Sequence, residues 1–292
     1  MKRLVRHTFV FGSVLLLASC AGKPPLPKHA AIERGGTPAA GTDYRALVAD
    51  AEVIYFPQER AASGGKSEPA ALLLEAVQQS GKPFAIAWDS IDATQQALLD
   101  ELQIENAPRD ELIRKLELTG TSRAREHCRS VLRELRAKFV AVRLPPAVAD
   151  KLAAGGVLNG DEQQLLPTGF AAPTGGYRAF AESRAARAGS DDRALAAAYR
   201  AEAVQRQFAA EQIVHYFRAA GSDTKLVVFA PSADFADDTG VPFYVAQKIN
   251  VRQLVLGREH AGSSRESLLA FLRGSLRGRL QIVDRAPRSA HD

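Results

Sequence analysis

Glu202 and Arg206 raise the question of chemistry first. They lie in "YRAEAVQRQFAAEQIVHYF", four residues apart, with the acid on the N-terminal side, the favourable order for such a pair on a helix. At about 100° per residue they share a face with Leu195, Tyr199, Ile213 and Phe217. An apolar, inward stripe thus carries two charges, and buried charges must be paired or hold something. A second candidate is Gly65-Lys66-Ser67, which closes a loop after an apolar run. A phosphate-binding loop needs a further Gly five residues earlier, and that position is Arg60. Glu68 and Pro69 then add a negative charge and remove a backbone N–H from a would-be anion nest. The stretch reads as a Gly-rich turn before a capped helix. His127, His215 and His260 show no close ligand spacing, and with Cys128 they make no zinc set. Ser232 stands near Asp234 without a neighbouring His, so no catalytic triad is supported.

These residues need elements to position them. Val53–Phe56, Phe84–Trp88, Phe139–Val142, Lys225–Phe229 and Arg252–Leu256 are short runs rich in apolar and β-branched residues. Between them lie helical patterns. One follows Ser67-Glu68-Pro69 and stops at Gly81, and one is opened by Asp92. Others are "PRDELIRKLEL", "TSRAREHCRSVLRELRA" and "PPAVADKLAAGG". A long one runs from Ser190 or Asp191 to Ala220, and "VPFYVAQKI" is the next. A helix over Ser264–Leu272 and a strand over Leu280–Val283 are expected in the tail. Strands that are apolar throughout and separated by helices predict an α/β fold, a mostly parallel sheet with helices on both faces. In such sheets ligands bind beyond the carboxyl ends of the strands, so the residues just after each strand are the candidates.

The 292 residues are 46% apolar and 24% charged, enough for one large α/β domain or two small ones. The net charge of +5 is scattered, with no aromatic interleaving of the kind a nucleic-acid surface uses. "MKRLVRHTFVFGSVLLLASC" has a basic start, an apolar run too short to remain in a bilayer, and a terminal Cys. Its end, Leu17-Ala18-Ser19-Cys20, resembles a bacterial lipobox. That resemblance implies cleavage before Cys20 and acylation of its sulfur. Ala21, where Asp would retain the protein at the inner membrane, implies an outer-membrane anchor, read as periplasm-facing. The expected organisation is a signal peptide over 1–20, a flexible tether over 21–42, an α/β domain over 43–260 and a C-terminal helix and tail over 261–292. With Cys20 acylated, Cys128 has no disulfide partner and reads as a buried, inert thiol.

The order of segments resembles the ChaN-like family of iron-regulated or haem-binding lipoproteins, within the TIKI/erythromycin-esterase superfamily. The resemblance runs from about Ala51 to Leu256. It is carried by "AEVIYFPQER", "FAIAWDSIDATQQALLDEL", "KFVAVRLPPAVADKLAAGG", "DEQQLLP" and "KLVVFAPSADFADDTGVPFYVAQKINVRQLVLG". It implies a ChaN/TIKI-like sheet and a haem or iron role. The motif positions depart from the family pattern. Gly-Glu-x-His after the first strand is Pro57-Gln58-Glu59-Arg60. The Glu after the second is Asp89, and the Asn after the third is Arg143. The Gln and Asp of the long helix are read onto Glu202 and Arg206. Gly-x-Gly-His after the later strand is Pro231-Ser232-Ala233-Asp234. Both motif histidines are gone.

The replacements are carboxylates and guanidiniums. Gln58, Arg60, Asp89, Arg143, Glu202, Arg206 and Asp234 are therefore the candidate pocket, lined by a self-neutralising network able to take a small anion or carboxylate. Three functions follow as expectations. The first is a non-enzymatic outer-membrane lipoprotein with a ChaN-like binding domain, in haem or iron handling, with haem as cofactor, no zinc and no metal site. The second is a metal-independent hydrolase with Asp89 or Asp234 as base. The third is a scaffold for an envelope protein. The resemblance also brings a homodimer into view, and the acylated Cys20 brings a lipid bilayer as partner; no nucleic acid is expected.

Overall fold

The structure is a computed structural model that describes residues 28–31, 44–58, 69–170, 191–221, 223–235 and 239–257. Its centre is a six-stranded sheet. The strands are β1 (Lys28–Ala31), β2 (Val53–Pro57), β3 (Phe84–Asp92), β4 (Lys138–Arg143), β5 (Lys225–Ala230) and β6 (Gln253–Gly257). Their spatial order is β1-β6-β2-β5-β3-β4, and every neighbouring pair is parallel. The helices are α1 (Tyr44–Ala49), α2 (Pro69–Gln79), α3 (Gln96–Glu101), α4 (Arg109–Lys115), α5 (Ser122–Glu134), α6 (Pro146–Ala153), α7 (Gly160–Gln164), α8 (Asp192–Ala220) and α9 (Val241–Lys248).

Side chains alternate across the strands, and the two faces have separate cores. Ile54, Phe56, Ile86, Trp88, Phe139, Val227 and Phe229 pack on one side, against α2 and α5 through Leu73, Val77, Cys128 and Leu132. Val53, Tyr55, Ala85, Ala87, Val140, Leu226 and Val228 pack on the other, against α8 and α9 through Ala210, Ile213, Phe217 and Val245. Both faces being covered is why the strands read as unbroken apolar runs.

The topology makes a crevice. From β2 through β3 to β4 the chain moves one way, with α2 and α5 on the first face. From β4 it turns back to β5 and then β6, with α8 and α9 on the second face. β5 is thus inserted between β2 and β3, and the segments leaving it and its neighbours part to opposite faces. Such a switch point opens a gap at the carboxyl ends.

Several boundaries differ from those expected. β3 continues past Trp88 to Asp92, with a register shift between Trp88 and Asp92 that brings Asp92 opposite Arg143. Asp92 caps a 3₁₀ turn (Ala93–Gln95) by accepting from Thr94 N at 2.9 Å, and α3 starts only at Gln96. α4 stops at Lys115, short of the "LEL" that follows. Thr121 caps α5 through Ala124 N at 3.2 Å, and Asp191 caps α8 through Ala194 N at 2.6 Å. Gly221, at φ +80°, ends α8, a conformation without steric cost only for glycine. Residues 28–31 correct the expected flexible tether over 21–42: they form β1 and pair with β6 from Lys28↔Leu254 to Ala31↔Gly257. Composition looks for large apolar groups, whereas an edge strand is held by backbone pairing. The signal segment with Cys20, the Gly65-Lys66-Ser67 loop, Arg60 and the C-terminal helix and strand lie outside the described residues.

Candidate functional site

Asp89 follows Ala85 and Ala87 on the α8 side of β3 and is 4% exposed. Its Oδ2 accepts from Arg143 Nη1 at 3.0 Å, at the end of β4. Its Oδ1 accepts from Gln205 Nε2 at 3.0 Å, on α8. Gln205 also donates to the Val142 carbonyl at 3.2 Å, and its Oε1 accepts from Leu144 N at 2.8 Å. One amide therefore joins the long helix to the end of β4 and to the carboxyl group. Arg143 Nε is buried without a partner.

A second ion-paired group lies beside the first. Arg206 Nε donates to Asp234 Oδ1 at 3.0 Å and Arg206 Nη2 to Glu202 Oε2 at 3.3 Å. Asp234 belongs to the 3₁₀ turn Ser232–Phe235 that follows β5. Arg206 is 8% exposed. The two groups feel each other. Burial pushes the Asp89 carboxyl up to about 8, the Asp234 charge pushes the same way, and Arg143 opposes both. Burial also raises Asp234, against the pull of Arg206. Charge adds to the effect of burial. Three carboxyl groups face two guanidiniums among the described residues of the crevice, so one proton retained on Asp89 leaves two carboxylates against two guanidiniums.

Asp89, Arg143, Glu202, Arg206 and Asp234 thus meet at one end of the sheet. Gln58 does not join them. It follows Ile54 and Phe56 in alternation, toward the α5 side, and its Nε2 donates to Ser90 Oγ at 2.8 Å. Gly120, at φ +95°, closes over that bond. A Cβ there would stand 3.3 Å from Gln58 Nε2 and 3.5 Å from Ser90 Oγ. Two residues before Ser90, Trp88 stacks on Phe229 at 4.5 Å between centroids, with His127 at 5.5 Å. Gln58 Oε1, Trp88 Nε1 and His127 Nε2 are buried without partners. Burial lowers the basicity of His127 and raises Cys128 far above its usual range, so the imidazole stays neutral and the thiol inert.

Gln205 and Ser90 are the contacts that sequence reasoning missed. Gln205 stands three residues after Glu202, so the i, i+3 rule that pairs neighbours on a helix face could have found it. Ser90 carried no such signal, because β3 was expected to end before it.

A parallel α/β sheet with a charged crevice at its topological switch point defines a domain of the doubly wound class. The family model described as "Haem-binding uptake, Tiki superfamily, ChaN" matches residues 46–245. The chain belongs to that family. Among solved structures it is similar to the one described as "Cofacial heme binding to ChaN of Campylobacter jejuni". The two share 13% identity at a TM-score of 0.51, over 74% of this chain and 85% of that one. At that identity the likeness concerns the fold. No curated protein matches.

Proposed function

We propose that this chain is a non-enzymatic binding domain of the ChaN type, working in haem or iron handling and held at the outer membrane through acylated Cys20. Family membership over residues 46–245 supports the haem role. The observation that carries the non-enzymatic reading is that each carboxyl group of the crevice is already paired. Both oxygens of Asp89 accept hydrogen bonds, and Asp234 and Glu202 are held by Arg206. Such a network is built to hold a shape and a charge balance, and a polar anion could exchange into it through Arg143 and Arg206.

Asp89, Arg143, Glu202, Arg206 and Asp234 themselves offer no axial ligand to the iron of a haem. Axial ligation needs a Tyr, His, Cys or Met side chain facing the group. The described hydrogen bonds of the crevice come from carboxyl, guanidinium and amide groups. The Tyr55 hydroxyl donates to Gln253 Oε1 at 2.6 Å within the core, His127 packs on Trp88 across the sheet, and His215 is exposed.

Titrating haem into the soluble chain lacking residues 1–20 tests the reading. A Soret band that saturates, with affinity within two-fold or so in Asp89→Asn, is the expected result. No band at any concentration overturns the haem role.

A hydrolase with Asp89 as base is not favoured, because its carboxyl, raised to about 8, keeps its proton at neutral pH; a hydrolase reading survives only with Asp89 as acid. A group that keeps its proton at neutral pH can serve as a general acid. If that reading holds, a panel of ester and amide substrates would show turnover lost in Asp89→Asn; equal background rates for both proteins would end it.

A further inference from the structure

β1 enters the sheet at Lys28, and since all strands run parallel, Lys28 lies at the amino end while the crevice lies at the carboxyl end. Eight Cα steps separate Cys20 from Lys28; fully extended they reach about 29 Å at most. A strand of five or six residues is about 17–20 Å long. The long helix rises beyond that. Lys138 Nζ, at the start of β4, lies over the Tyr216 ring at 5.8 Å, while Gln205 meets Val142 and Leu144 at the end of β4. α8 therefore runs antiparallel to the strands, and its part from Asp192 to Gln205 stands beyond them by about 20 Å at 1.5 Å per residue. To reach a bilayer lying on the carboxyl end, the segment from Cys20 to Lys28 would have to span about 37–40 Å. It is too short.

We propose that the amino end of the sheet is the surface this protein lays on the membrane, with the crevice turned away, and that this surface takes the headgroups of anionic phospholipids. The orientation rests on Cys20 being the anchor. The chemistry of the surface supports it independently. Lys82 stands two residues before β3 and Arg252 immediately before β6, Lys138 and Lys225 begin β4 and β5, and Arg45 stands exposed on α1. Lys225 is buried, and its Nζ donates to the carbonyls of Val48 at 2.5 Å, Ala49 at 3.1 Å and Ala51 at 2.7 Å. Burial lowers its basicity first, and the charges of Lys82 and Arg252 lower it further, so these cations share one field. Arg45, Lys82 and Lys225, with Gln79 and Ser80, line a recess of about 200 Å³. The acids at this end include Asp50, Glu52, Asp223, Glu75 beside Gln79 on α2 and Glu134 at the end of α5. Asp223 is held by Lys82 at 2.8 Å and Glu52 faces Arg252 at 3.5 Å. Lys138 stands exposed with a cation–π contact to Tyr216.

The experiment uses the full chain on phosphatidylcholine vesicles with and without phosphatidylglycerol. Fluorophores are placed through Gln78→Cys, exposed at the end of α2, and through Val157→Cys, 83% exposed. Val157 marks the far end, because nearby Gly155 stands against Ala197 in the overhanging part of α8. A quencher attached to lipid headgroups should quench the label at 78 several-fold more than the label at 157. Equal or reversed quenching overturns the orientation. Mass measurement of Cys20 in the chain recovered from bacterial envelopes tests the anchor separately; an unacylated Cys20 overturns the tether-based orientation while leaving the lipid contact to its own arm. In that arm, the Cys20→Ala chain should bind phosphatidylglycerol vesicles, with about a 25-fold loss in Lys82→Gln/Arg252→Gln, five-fold per charge. Absence of vesicle binding overturns the lipid contact, as does full competition by inorganic phosphate at matched ionic strength.

Discussion

Asp89 is the residue on which the crevice turns. It sits on β3 where the alternation that buries Ala85 and Ala87 brings a carboxyl group under α8. Its carboxyl is raised from 3.8 to about 8. Between those values the folded chain holds a proton that the unfolded chain has released, so stability falls as pH rises across that window. Asp89→Asn cannot ionise. Urea unfolding at stepped pH should show the wild type losing stability from pH about 4 to 8 relative to the variant, with the gap widest at the alkaline end. Parallel profiles would mean that Asp89 ionises normally. That Asp89, Arg143 and Asp234 lie toward or just past the carboxyl ends of their strands was readable from the sequence. That Gln58 belongs elsewhere was not: its side follows from the parity of β2, and one residue of parity sends a side chain to the opposite face.

At the scale of elements, α8 joins the site to the rest of the fold. Its 29 residues carry Glu202, Gln205 and Arg206 near the carboxyl ends of the strands and Ile213 and Phe217 deep in the second core. Gln205 satisfies the Leu144 N–H just past β4 and one oxygen of Asp89. Gln205→Ala removes both contacts and should cost about 1–3 kcal/mol in chemical unfolding, the range for a buried donor left without its partner. A loss below that range would mean that water replaces the amide. The helix itself was legible, since Asp191 and Gly221 are standard punctuation and its apolar stripe repeats at helical spacing. Gln205's place on the face of Glu202 was legible from the i, i+3 spacing; its partners Asp89 and Leu144 were not, because they come from distant segments.

At the scale of the whole molecule, strand order decides what meets what. β6 lies between β1 and β2, so a segment that leaves composition undistinguished completes the sheet edge. Removing residues 21–31 should speed amide exchange in β6 while leaving β3 and β5 protected, since β3 and β5 are interior and paired on both sides. Unchanged exchange in β6 would mean that the β1 pairing contributes no protection.

The sequence by itself determined the class of fold, the order of β2 to β6 and of most helices between them, the end of α8 at Gly221 and the family. These follow from local rules: apolar runs, capping residues and their order along the chain. Only the tertiary structure decided that β5 inserts between β2 and β3, that Asp89 meets Gln205 across 116 positions, and that the first strand enters at the end opposite the crevice. Such facts depend on how distant segments pair, and a parallel sheet pairs strands that no local spacing brings together.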